Sequence, residues 1–106
     1  MDTTNRPLRM APKDRKADLI NAALEAADVH GFSNLRAKHV AELGAVSSAT
    51  VMHYFSTMKQ LRRAVMRAAI KQGNVKVLAS GLGCMDPDAR KAPPELKEMA
   101  VKLLAQ

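Results

Sequence analysis

The side chains with chemistry to offer cluster between Arg36 and Lys59. Arg36, Lys38 and Lys59 are cations that suit phosphate oxygens, and Ser47, Ser48, Thr50 and His53 each offer a single hydrogen bond to a base edge or a phosphate. The methyl of Thr50 can also rest against that of a thymine, and Tyr54 completes the candidate contact set. Upstream, Arg6 and Arg9 stand in a stretch of Thr, Asn and Pro without helical periodicity, a basic arm suited to a minor groove. Between Ser47 and Tyr54 there is no Arg, Asn or Gln for a bidentate base contact. Sequence preference must then lean on DNA shape, water and the flanking arm.

These residues need two short helices at a steep angle. Val40 and Ala41 precede a glycine-containing turn, Val46 follows it, and Val51 and Tyr54 come on the next helical stretch. That order lets two helices bury one shared face while the second stays free for a major groove, as in a helix-turn-helix. Arg36 and Lys38 fall at the start of the first of these helices, where their charge adds to the positive helix end.

Charge supports the same chemistry. The net charge is +7, and no Asp or Glu occurs from Leu43 through Met85, a span that holds Lys59, Arg62, Arg63, Arg67, Lys71 and Lys76. Such a span repels few phosphates. Hydrophobic residues make up 47% of 106 residues but only Phe32, Tyr54 and Phe55 are aromatic, so one small core is built from Ala, Leu, Val, Ile and Met. Those residues favour helices, and an all-α fold is expected. No signal-peptide pattern and no long apolar run occurs, which points to the cytoplasm. Cys84 has no disulfide partner and reads as filler, and no Cys/His group has zinc spacing, so no metal or cofactor is expected.

Three segments are expected: a mobile basic arm over residues 1–12, a DNA-binding unit over 13–79 and a short helical tail over 80–106. Leu19, Ile20, Ala23, Leu24 and Ala27 set the first helix from about Lys13, stopped by Gly31. Ser33 or Asn34 can cap a second helix over Leu35–Leu43, which Gly44 breaks. Ser47 can cap a third, to about Tyr54. Thr57 and Gln60 form the pattern of a capping box for a fourth, with Leu61, Val65, Ala68 and Ala69 at core spacing. Gly73 either ends that helix or weakens it ahead of Val75, Val77 and Leu78. Ser80–Gly83 reads as a turn, and Pro94 opens a last helix ending near Ala105.

Residues 15 to 61 resemble the N-terminal DNA-binding region of TetR-family transcriptional repressors. The matching residues are Ile20, Ala22-Ala23, Gly31-Phe32, Val40-Ala41-Glu42, Val46-Ser47, Thr50-Val51, Tyr54-Phe55 and Leu61. The resemblance implies that Ser47–Tyr54 reads the major groove and that a homodimer engages two half-sites of a palindromic operator. Three positions depart from the family pattern: Ala45 stands where glycine is usual, Met52 where a phosphate-contacting tyrosine is favoured, and Met58, with Lys59 beside it, where a lysine is favoured. The family's large ligand-binding domain has no counterpart in the residues after Leu61, which leaves little room for an inducer pocket.

Each reading has a plainer competitor. Lys59, Arg63, Arg67 and Lys71 recur every four residues, as a solvated face or as a nucleic-acid contact. His53 is either a contact or a surface residue, while His30 and His39 read as helix-end and helix-surface residues. Leu96, Met99, Leu103 and Leu104 form a stripe too apolar for water, which either joins two copies or packs on its own domain. The rival function is a basic amphipathic helix at Met58–Gln72 that binds a membrane surface or protein partner, and it requires Leu61 and Val65 to be exposed. An enzyme is disfavoured, because no paired carboxylates, nucleophile-base set or phosphate-binding glycine loop is present.

Overall fold

The computed structural model describes residues 12–105, and six α-helices with two 3-10 turns account for most of them. Arg6 and Arg9 lie outside the described residues. The first helix, α1 (Pro12–His30), begins at a proline, whose missing N–H costs nothing at a helix start. Leu19, Ala22, Ala23, Ala26 and Ala27 are buried along one face of it. Gly31 ends it at φ 91° and donates its N–H to the Ala27 carbonyl at 2.8 Å, a backbone state that glycine adopts without a Cβ clash.

A 3-10 turn at Phe32–Asn34 follows, and here the expected cap fails. Neither Ser33 nor Asn34 caps the second helix; the Asn34 amide instead donates back to the His30 carbonyl at 3.1 Å. Leu35 is fully buried in an extended conformation, so the chain cannot turn helical until it has passed that anchor. Consequently α2 spans Ala37–Gly44, with Arg36 as its N-cap residue. The orphan N–H of Arg36 finds the Nδ1 of His39 at 3.2 Å, a side chain reaching back from the third helical position as in a capping box.

Gly44 does not break α2; it is the last helical residue, and the left-handed position falls on Ala45 at φ 58° and ψ 42°. What requires glycine at position 44 is proximity, since a Cβ there would stand 2.9 Å from Cδ2 of Leu19 on α1. The two helices thus cross with almost no space between them. After the turn, Ser47 caps α3 (Ser48–Phe55) by accepting the Thr50 N–H at 3.0 Å. Val51 and Phe55 are buried beneath α3, against Val40 and Ala41 of α2 in one continuous core.

The link from α3 to the next helix is two residues, Ser56 and Thr57, the first of them strained. Ser56 adopts φ 71° and ψ −52°, and the Thr57 N–H donates to the Phe55 carbonyl at 2.8 Å, which is a γ-turn with positive φ. Thr57 then caps α4 (Met58–Gln72) through the Gln60 N–H at 3.1 Å, and Leu61, Val65, Met66 and Ala69 form its buried face. Gly73, at φ 69°, ends α4, and Asn74 caps a separate helix, α5 (Val75–Gly83).

The turn expected at Ser80–Gly83 is therefore helix. Gly81 is buried where α5 meets α4: a Cβ would fall on the thioether methyl of Met66 and within 3.1 Å of the Ala89 side chain. Its lack of a side chain serves packing, and the packing outweighs its weak helix propensity. Ser80 faces the other way and accepts the Phe32 N–H at 2.8 Å, joining the first turn to α5. A second 3-10 turn (Ala89–Lys91) leads to α6 (Pro94–Leu104), which packs mainly on α5 through the buried Ala100. The expected boundary after residue 79 falls inside α5, whose buried residues join the same core as α1–α4. Cys84 is not filler: it is exposed, with Sγ donating to the Gly81 carbonyl at 3.3 Å.

Candidate nucleic-acid interface

α2, the tight turn at Ala45–Ser47 and α3 form a helix-turn-helix in which burial of Val51 and Phe55 fixes the rotation of α3. Ser48, Ala49 and His53 consequently face outward, and Met52 is half-buried at the edge of that face. Ala49 was not among the residues singled out from the sequence, because a methyl group advertises no chemistry until its exposure on α3 is known.

The hydroxyls are not equivalent. Ser47 and Thr50 lie 3.0 Å apart, oxygen to oxygen, and Ser47 also accepts the Thr50 N–H. Their polar groups are thus partly committed to holding the start of α3, whereas Ser48 is exposed one residue further on. Tyr54 is half-buried against the core and meets His53 edge-on, with ring centroids 5.5 Å apart. Its ring anchors one side of His53.

Arg36, Lys38 and Lys59 are all exposed, the first two at the start of α2 and the third in the first turn of α4. An open groove of about 300 Å³ brings Arg36 of the α2 start together with Met52 of α3 and Met58 of α4. The two methionines that replace the tyrosine and lysine of the resemblance therefore share one surface, adjoining Arg36. Arg62 reaches this groove as well, but its guanidinium donates to the Leu35 carbonyl at 3.4 Å, a link within the fold that its place in a basic run concealed.

Beside Arg36, the rings of His30 and His39 stack with centroids 3.9 Å apart and planes inclined by 12°. Loss of solvation, then the neighbouring His30 and Lys38, hold His39 below the ordinary histidine range, while Glu42 pulls the other way. A neutral His39 is the form able to accept the Arg36 N–H, so the cap and the lowered proton affinity agree.

On α4, Arg63 sits 3.9 Å from Asp88, and Lys91 is equally close to the same carboxylate. Part of the basic stripe is thus tied to the turn before α6. Leu61 and Val65 are fully buried, so the apolar residues that the amphipathic-helix alternative needs at a membrane or a partner are committed to the core. The condition for the amphipathic-helix alternative is not met. Among the described residues no helix is long and apolar enough to cross a membrane.

This arrangement is that of a helix-turn-helix DNA-binding domain. The family model of bacterial regulatory proteins, tetR family, matches residues 19–65, from the buried Leu19 of α1 to Val65 of α4. No curated protein and no solved structure gives a significant match to the chain. Residues 19–65 are a TetR-family N-terminal helix-turn-helix domain, which supports a DNA-binding transcriptional regulator.

Proposed function

We propose that the protein is a repressor that binds a palindromic operator as a homodimer, with α3 in the major groove. The observation that carries this reading is the outward face of α3, which presents Ser48, Ala49 and His53 in a carboxylate-free span running from Leu43 to Met85. Ser47, Ser48, Thr50, His53 and Tyr54 position or contact bases. Arg36, Lys38 and Lys59 hold phosphates on either side, and Arg6 and Arg9 reach the minor groove. The tail, residues 80–106, supplies the dimer contact through α6. On that helix Met99, Leu103 and Leu104 are exposed, Val101 beside them is 54% exposed, and Leu96 is half-buried. A dimer would space its two α3 helices by about 34 Å, one turn of DNA.

No small-molecule inducer enters this reading. Control comes from the concentration of the protein itself, which binds upstream of its own coding region. The test compares binding of the purified chain to that upstream region and to a scrambled duplex of equal length, at two salt concentrations. Tighter binding to the upstream duplex that persists at the higher salt supports the reading. Equal binding to both that collapses with salt leaves only electrostatic attraction and defeats it. A solution mass of one chain at every working concentration would remove the dimer.

A further inference from the structure

A second cationic surface lies on the other side of the α3–α4 turn. An open groove of about 490 Å³ runs between α1 and α4, bounded by Lys16 on α1, Arg63 and Arg67 on α4, and Thr57 and Gln60 at the start of α4. No Asp or Glu is among the described residues that line it. Its floor is Phe55, which is buried, and the Lys16 ammonium stands 5.6 Å from the centre of that ring. Such a contact restrains a side chain that would otherwise sample solvent freely.

The donors around the groove are complementary to one kind of ligand. Thr57 already accepts the Gln60 N–H through its oxygen, which leaves its hydroxyl proton free to donate outward. Arg67 is exposed and can present a planar pair of N–H groups to two oxygens at once, whereas Lys16 offers a point charge from the opposite wall. Arg63 contributes in part, since its Nε lies 3.9 Å from Asp88. Strain also collects here: the positive-φ Ser56 is one of the lining residues.

We propose that this groove is a phosphate-binding site, separate from the outer face of α3 and from the Arg36 surface. Its ligand is a set of two or more neighbouring phosphate groups. They come either from the backbone of DNA flanking the half-site or from a free phosphorylated compound. Only the first source rests on the operator reading given above.

The experiment uses the full chain and three variants of equal charge change: Lys16→Gln, Arg67→Gln and, as the control, Lys71→Gln. Lys71 is exposed one turn beyond Arg67 and does not line the groove. Tripolyphosphate is titrated against each by calorimetry, with the emission of Tyr54, the sole tyrosine in a chain without tryptophan, as a probe at the groove itself. The expected result is saturable binding that weakens about tenfold in Lys16→Gln and in Arg67→Gln, the loss of one charge-assisted hydrogen bond, and less than about twofold in Lys71→Gln. Equal losses in all three variants, or no saturable binding by the parent chain, would overturn the site.

A second arm measures the dependence of duplex binding on salt. If the phosphates belong to DNA, the slope of log K against log salt falls by about one for each groove variant and stays at the parent value in the control. If the slope is the same in all three variants while tripolyphosphate binding is selective, the source is a free phosphorylated compound. A parent chain that does not prefer its upstream duplex fails the operator reading alone, and the tripolyphosphate result then still decides the groove.

Discussion

The outer face of α3 and the outward side of α4 differ in nearly every respect that matters to a nucleic acid. The exposed part of α3 is small and uncharged, with Ser48, Ala49 and His53, and it contains no side chain able to make two hydrogen bonds to one base. On α4, the cations Lys59, Arg63 and Arg67 are all exposed. A surface of the first kind fits closely and discriminates weakly, whereas one of the second kind attracts any duplex. In the proposed complex the charged side of α4 supplies affinity for any duplex and α3 supplies what selectivity there is, across the short turn at Ser56-Thr57.

The most drastic way to break the comparison is to release α4 from the core. Leu61 is fully buried beneath it, so Leu61→Ala should cost about 2–5 kcal/mol through lost burial and a residual cavity. Denaturant unfolding would measure this, and binding to cognate and scrambled duplexes should fall together because both helices lose their support. A sharper division comes from single contacts. Arg36→Ala should weaken both duplexes alike and lower the salt slope by about one. Thr50→Ala should weaken the cognate duplex more, by about 1–3 kcal/mol if it faces a base. Equal losses at Thr50 would mean that α3 is not the reading helix.

The groove shared by Arg36, Met52 and Met58 allows the comparison to be altered in the opposite direction. Met58→Lys places a further cation at the start of α4 and should tighten binding to any duplex by roughly 1 kcal/mol at low salt, with a steeper salt slope. Filter binding at two salt concentrations would detect it. An unchanged slope would show that this groove does not face the phosphates. Ala45→Gly acts on the turn rather than on the ligand. The left-handed conformation of Ala45 costs about 1–2 kcal/mol that glycine avoids, and the greater flexibility of glycine in the unfolded chain returns part of that. A net gain of about 0.5–1 kcal/mol in unfolding free energy is expected.

Much of this was legible in the sequence because caps and stops act locally. Gly31, Ser47, Thr57 and Pro94 each fix a helix end through their own backbone or a neighbour three residues away, and each appears where its chemistry suggested. What was not legible depends on contacts far along the chain. Gly44 and Gly81 both read as breaks, yet both are helical, because Leu19 and Met66 occupy the space that a side chain would need. The delayed start of α2 follows from the burial of Leu35, which no cap pattern records. In the site, the cations were visible as residue types, but not that Lys16 joins Arg67 across a groove while Arg62 turns inward.

The smallest expected effect concerns the start of α2, where the backbone N–H of Arg36 is held by an imidazole. His39 must be neutral to accept the Arg36 N–H, and its proton affinity in the fold lies below the ordinary value of 6.5. The fold therefore favours the neutral form. Its contribution to stability is fully present above pH 6.5 and is lost as pH falls below 6.5 through the lower, folded-state value. His39→Gln keeps an acceptor at the third helical position but removes the titration. Melting temperatures measured over that acidic range should fall more steeply for the parent than for the variant, and parallel curves would assign the acid sensitivity to other groups. Because His30 stacks on the same ring, a His30→Asn change should also lessen the steepness, by removing the neighbour that disfavours a charged His39.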